Sequence, residues 1–139
     1  MPEVFVTWSS IGRQKRYREI FEISKSFPKE ETYSLTDQIR RASRSIGAQI
    51  AEAWGKRRYE RHFVSKLTDA DGEQLETQHW VDEAYGCRYL DPKKAEELTE
   101  NLLQIGRMLN SMIEKAHLFC GQSQVIREDT VEYLVKTED

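Results

Sequence analysis

Between residues 95 and 119 the apolar side chains of Ala95, Leu98, Leu102, Ile105, Leu109, Met112, Ala116 and Phe119 recur at spacings of 3, 4, 3, 4, 3, 4 and 3. Such a stripe stays on one side of the chain only in a helix, which returns to the same face every 3.6 residues, whereas a strand does so every two. A long helix with a single apolar stripe has to lay it against other helices. Asp91 and Pro92 stand just before it. The carboxylate can cap the first free N–H groups, and proline at the first helical position sacrifices no hydrogen bond. The pattern predicts a helix over 92–120.

Three further segments repeat the signal. Residues 13–26 place Tyr17, Ile20, Phe21, Ile23 and Ser24 toward a core, and Pro28 stops the helix because its ring disfavours helical backbone at Phe27. Residues 34–56 carry Leu35, Ile39, Ala42, Ile46, Ile50 and Ala53, with Ser34 and Asp37 spaced as a capping box. Residues 58–88 show Phe63, Leu67, Ala70, Val81 and Ala84 around a polar middle. Short connections make successive helices antiparallel, so the expected fold is all-α, an up-down-up-down four-helix bundle over 13–120. An N-terminal arm (1–12) and a C-terminal tail or docking segment (121–139) flank it.

A chain of 139 residues fits one domain with a core of its own. No apolar run reaches the roughly 20 residues of a membrane span. The opening MPEVFVTWSS has neither the basic flank nor the apolar stretch of a secretory signal. Two cysteines, Cys87 and Cys120, with no CxxC spacing, fit ordinary buried thiols in a reducing compartment, and the expected location is cytoplasmic.

The net charge of -3 conceals a strong polarity along the chain. Gln38 to Lys66 holds eight basic residues (Arg40, Arg41, Arg44, Lys56, Arg57, Arg58, Arg61 and Lys66) against Glu52 and Glu60. Leu67 to Leu103 holds ten acidic and three basic residues. This layout suits an anionic partner, subunits meeting head to tail, or mutual neutralisation of neighbouring helices. On a helical wheel Ser43, Gly47, Ala51 and Trp54 form a second face of the 34–56 helix beside its core stripe. Small residues there admit a close neighbour, either another subunit or the rest of one wide core.

The run FPKEETYSLTDQIRRASRSIGAQIAEAWGKRRYERHF resembles the bacterial four-helix-bundle proteins encoded in intervening sequences of 23S ribosomal RNA genes, a family related to the accessory proteins of diversity-generating retroelements. Phe27, Pro28, Lys29, Glu30 and Glu31 match its turn. Gln38, Arg40, Arg41, Ala42 and Ser45 match its next motif, and Ile50, Ala51, Glu52, Arg57, Arg58 and Phe63 the remainder. Gln49 stands where the family has Asn, Ala53 where it has Gly, and Asp69–Gly72 replaces Ala-Arg-Gly-Ser, the marks of a divergent branch. The resemblance implies a bundle that assembles as a homo-oligomer, typically a pentamer, without established catalytic activity. Its implied partners are RNA or DNA, or a protein that handles nucleic acid.

Two Glu-x-x-His motifs, Glu76/His79 and Glu114/His117, match the ligand pattern of a di-metal carboxylate enzyme. Helix geometry disfavours that reading, because both glutamates project away from the apolar stripes and lie at different levels of the bundle, roughly 15 Å apart at 1.5 Å per residue. No metal or cofactor is expected. The basic cluster is the stronger lead: unpaired arginines can contact phosphates, and the interleaved Tyr59 and Phe63 can stack on bases. The reading is a non-enzymatic oligomer that binds nucleic acid, or a protein that handles it, through Arg40, Arg41, Arg44, Lys56, Arg57, Arg58, Arg61 and Lys66. It would assemble through Ser43, Gly47, Ala51 and Trp54. The alternative is a purely structural oligomer whose arginines serve subunit contacts.

Overall fold

The structure is a computed structural model, and it describes residues 18–120. The expected arm over 1–12, the tail over 121–139 and Tyr17 lie outside the described residues. Among those described, the chain is all helical: α1 (Arg18–Ser24), a 3-10 turn (Lys29–Glu31), α2 (Leu35–Gly55), α3 (Glu60–Gly86) and α4 (Pro92–Glu114). Residues 116–120 are helical again after a turn at Lys115, so the helix expected to run unbroken to 120 is interrupted there.

Neighbouring helices pair in opposite senses. Phe21 meets Arg44 while Ser24 meets Arg40, which fixes the direction of α1 against α2. Glu52 of α2 meets Lys66 of α3 across their turn. Gln74 of α3 lies against Gly106 of α4, each about equally far from the connection at 87–91. Phe27, just after α1, faces Tyr89, and Glu19 reaches Lys94 at 2.7 Å, so α1 also lies along the start of α4.

The stripes fill the core as their spacing predicts. Leu35, Ile39, Ala42, Ile46, Ile50 and Ala53 of α2 are buried, as are all eight stripe residues from Ala95 to Phe119. In α3 the buried set is Phe63, Leu67, Ala70, Gln74, Thr77, Val81 and Ala84. The polar middle is therefore not a gap in the stripe: Gln74 and Thr77 occupy core positions. Each meets the rule that a buried polar group must be hydrogen-bonded. Thr77 Oγ1 donates to Glu73 O (2.7 Å); Gln74 Nε2 donates to Asp71 Oδ1 (3.0 Å), and its Oε1 accepts from Gln78 Nε2 (2.7 Å).

The ends of the helices show which local signals were honoured. Asp91 caps α4 as expected, its Oδ1 accepting from Lys94 N at 2.7 Å. Ser34 does not cap α2, contrary to the capping-box expectation, and makes no side-chain cap bond. Glu31 from the 3-10 turn takes the role, accepting from Leu35 N (3.3 Å) and from Ser34 Oγ (3.4 Å). A carboxylate brought close by the preceding turn wins over the local hydroxyl because charge-assisted bonds are stronger. At the end of α3, Arg88 takes φ 64°. Its N–H donates to Tyr85 O, and that of Tyr89 donates to Ala84 O, both at 2.9 Å. This is a Schellman closure with arginine where glycine is usual.

Candidate nucleic-acid interface

The eight basic residues do not form one edge. The rise of 1.5 Å per residue puts Arg40 about 22 Å from the end of α2 at Gly55, and structure divides the cluster between those two ends.

At the first end, Arg40 and Arg44 turn toward α1. Arg40 Nε donates to Ser24 Oγ at 2.7 Å, and the hydroxyl donates onward to Phe21 O at 2.8 Å. The guanidinium carbons of Arg40 and Arg44 lie 4.6 and 4.9 Å from the Phe21 ring centroid, close enough for cation–π attraction. Arg41 is exposed and 3.9 Å from Asp37 on its own helix, a loose pair worth little in water. Arg40 and Arg44 are engaged by α1, while the charge of Arg41 reaches Glu73 on the acidic third helix.

At the second end the helix unwinds after Gly55, with Lys56 N–H still donating to Glu52 O (3.0 Å) and Tyr59 N–H closing back on Lys56 O (3.1 Å). Tyr59 is extended (φ -123°, ψ 116°) and starts α3. The Arg57 guanidinium stacks over Trp54, 3.7 Å from its centroid, which explains why Trp54 is half-buried at the end of the small-residue face. Lys56, Arg58 and Arg61 are exposed, and among the described residues none has an ion-pair partner. Tyr59 between them is 52% exposed, its ring 5.4 Å from that of His62. Phe63, in contrast, is fully buried against Phe119 and offers no surface for a base.

Lys66 belongs to neither group. Its Nζ lies 2.8 Å from Glu52 Oε2 and 3.8 Å from Asp69 Oδ2, and it donates to Gln49 Oε1 at 3.4 Å. The hydrogen bond from Lys66 and its charge hold the Glu52 carboxyl below its ordinary pKa, and the same bond raises the lysine. Gln49, one of the departures in the motif, is thus a partner of Lys66.

The small-residue face is graded along α2. Ser43 is buried, its Oγ donating to Arg40 O at 3.1 Å; Gly47 is half-buried and Ala51 exposed. Exposed apolar surface that no spacing singled out lies elsewhere. Leu75 (55% exposed) and Leu103 flank a groove of about 410 Å³ between α3 and α4, lined also by Asp71, Gly106, Arg107 and Glu114. Nothing in a stripe analysis marks them, because each sits one position after a core residue (Gln74 and Leu102).

Glu76, His79, Glu114 and His117 all lie on exposed helix faces, and Glu76 Oε1 accepts from Trp80 Nε1 at 3.3 Å. Among the described residues no three His, Cys, Asp or Glu side chains are grouped to hold a metal, and no helix is long and apolar enough to cross a membrane. Burial raises the Glu73 carboxyl above its ordinary range, helped by the neighbouring Glu76. Cys120 is buried, but Cys87 is exposed at the end of α3, which corrects the expectation of two buried thiols.

A family model described as 23S rRNA-intervening sequence protein matches residues 14–111. No curated protein matches the chain. Among solved structures, a protein of unknown function from the S23 ribosomal protein family of Bacteroides thetaiotaomicron VPI-5482 is similar, at 24% identity and a TM-score of 0.71. The match covers 78% of this chain and 98% of that one, and it shows a shared fold.

Proposed function

Because the chain belongs to the 23S rRNA-intervening sequence protein family, we propose that it is a non-enzymatic oligomeric protein that binds nucleic acid through the turn between α2 and α3. The observation that carries this reading is the exposed set of Lys56, Arg58 and Arg61 around a half-exposed Tyr59. Cations not spent on internal carboxylates release counterions when they meet phosphates, and an exposed ring offers a stacking platform for an unpaired base. Single-stranded nucleic acid fits that combination best.

The reading includes assembly into a homo-oligomer, a pentamer by family resemblance. Exposed Leu75 and Leu103 beside a groove with two carboxylates, Asp71 and Glu114, support a surface that another subunit covers, opposite in charge to the α2–α3 turn. That complementarity also favours the second reading, a structural oligomer in which Lys56, Arg58 and Arg61 of one subunit meet the acidic groove of the next.

Fluorescence anisotropy with short single-stranded and duplex RNA and DNA across a salt series separates the two. If the turn binds phosphates, Lys56→Gln, Arg58→Gln and Arg61→Gln each flatten the log–log salt slope for single strands by about 0.7. Solution mass by light scattering should stay unchanged in these variants. If the wild type binds nothing at low salt and the variants fall to monomers, the basic turn is a subunit contact and a protein partner becomes the subject of search.

A further inference from the structure

The other end of α2 carries a second concentration of charge with a different environment. A recess of about 540 Å³ between α1 and α2 is lined by Arg18, Glu19, Phe21, Glu22, Ser43 and Arg44. Its two carboxylates are already engaged. Glu19 lies 2.7 Å from Lys94 Nζ, and Glu22 lies 3.1 Å from Lys25 Nζ. Arg18, Arg40 and Arg44 have no carboxylate partner among the described residues. Two guanidinium groups without a carboxylate partner thus line the recess, and a third, that of Arg40, lies beside it over the Phe21 ring.

Arg40 and Arg44 are also held in place. Arg40 is fixed by the 2.7 Å bond to Ser24 Oγ, the hydroxyl of a residue 2% exposed and itself bound to Phe21 O. Arg40 and Arg44 share the Phe21 ring, whose π face stabilises both cations where direct contact between them would be repulsive. Ser43, also 2% exposed, ties its hydroxyl to Arg40 O and so stiffens the backbone beneath. Like charges fixed side by side without counter-charge form a preorganised anion site, since the cost of gathering them is met on folding rather than on binding.

We propose that this recess takes a phosphoryl group, with Arg18 and Arg44 donating to its oxygens and Arg40 adding charge from its place over the Phe21 ring. A guanidinium presents paired N–H donors that match two oxygens, and a tetrahedral phosphate has oxygens enough for two such groups at once, where a carboxylate has a single pair and a halide none. The volume exceeds that of a bare ion and lies within the range of small-molecule pockets, leaving room for the sugar attached to the phosphoryl group. The phosphoryl group can belong to a free nucleotide, to the terminal monoester of a strand, or to a backbone diester. The site stands on its own observations and does not require that the α2–α3 turn bind a polymer.

The test is calorimetric titration of the full-length chain with inorganic phosphate, ionic strength held constant with sodium chloride. Saturable binding is expected, at least tenfold weaker in Arg44→Gln and unchanged in Lys115→Gln, an exposed cation that belongs to neither site. Arg44 is exposed, and circular dichroism checks that the variant keeps its helices. Absence of saturable binding, or equal affinity in wild type and Arg44→Gln, overturns the site. Competition by adenosine monophosphate and by one oligonucleotide with and without a 5′-phosphate then identifies the source. Preference for the 5′-phosphate assigns a terminal monoester, equal competition by both strands assigns the backbone, and competition by the mononucleotide alone assigns a free nucleotide.

Discussion

Gln74 Nε2 lies 2.8 Å from the point where a Cβ on Gly106 would stand, so α3 and α4 approach each other through a buried amide on one side and a bare backbone on the other. The amide is not free to swing away, because Asp71 holds its nitrogen and Gln78 its oxygen. Gly106→Ala gains about 1 kcal/mol of helix propensity but overpacks this contact at a cost of about 1–3 kcal/mol. A net loss of about 1 kcal/mol is expected by urea denaturation. In a Gln74→Ala background the same substitution should be neutral or stabilising, and identical effects in both backgrounds would show that the contact is not the cause.

Arg88 spends its φ of 64° on closing α3 without the freedom of glycine. A left-handed L-residue costs roughly 1–2 kcal/mol, part of which glycine returns through its looser unfolded state. Arg88→Gly should therefore raise the denaturation midpoint, by about 0.5–1 kcal/mol of stability. A lower midpoint would reveal a stabilising role for the arginine side chain.

Thr36 Oγ1 is buried in the first turn of α2 without a hydrogen-bond partner among the described residues. Burying a hydroxyl unsatisfied costs about 1–3 kcal/mol, and valine fills nearly the same space without it. Thr36→Val is expected to stabilise the fold by roughly 1 kcal/mol, whereas Thr36→Ser, which keeps the hydroxyl, should not.

Burial pushes the Cys120 thiol from its ordinary 9.0 up to about 11. The unfolded chain thus loses this proton at lower pH than the folded one, and stability falls as pH rises. The contribution is intact below pH 9 and is lost between pH 9 and about 11. Cys120→Ala should remove that part of the pH dependence. At pH 8 a thiol reagent should label Cys87 quickly and Cys120 only at the rate of unfolding, since one is exposed and the other buried.

Much of the fold was legible before any coordinates. The stripe that begins in α4 stays buried to Phe119 across the turn at Lys115, and that in α2 is buried at every expected position, because periodicity reports the side of a helix that water leaves. The polar middle of α3 was harder to read. Gln74 and Thr77 continue the spacing 63, 67, 70, 74, 77, 81, 84, so position was the better guide than residue type. The cap of α2 was misplaced for a different reason: Ser34 and Glu31 compete within four residues, and the conformation of the 3-10 turn decides between them.

The candidate site was legible as composition but not as arrangement. Eight basic residues between 38 and 66 are plain in the chain, yet α1 claims Arg40 and Arg44, Trp54 claims Arg57, and Glu52 claims Lys66. What the sequence alone determined is the set of helices and their buried faces, since both follow from local hydrogen bonding and the withdrawal of apolar groups from water. Only the tertiary structure decided which cations are spent inside the molecule and which face outward. Those pairings join residues as distant as Glu19 and Lys94, and no local rule of spacing reaches across such a separation.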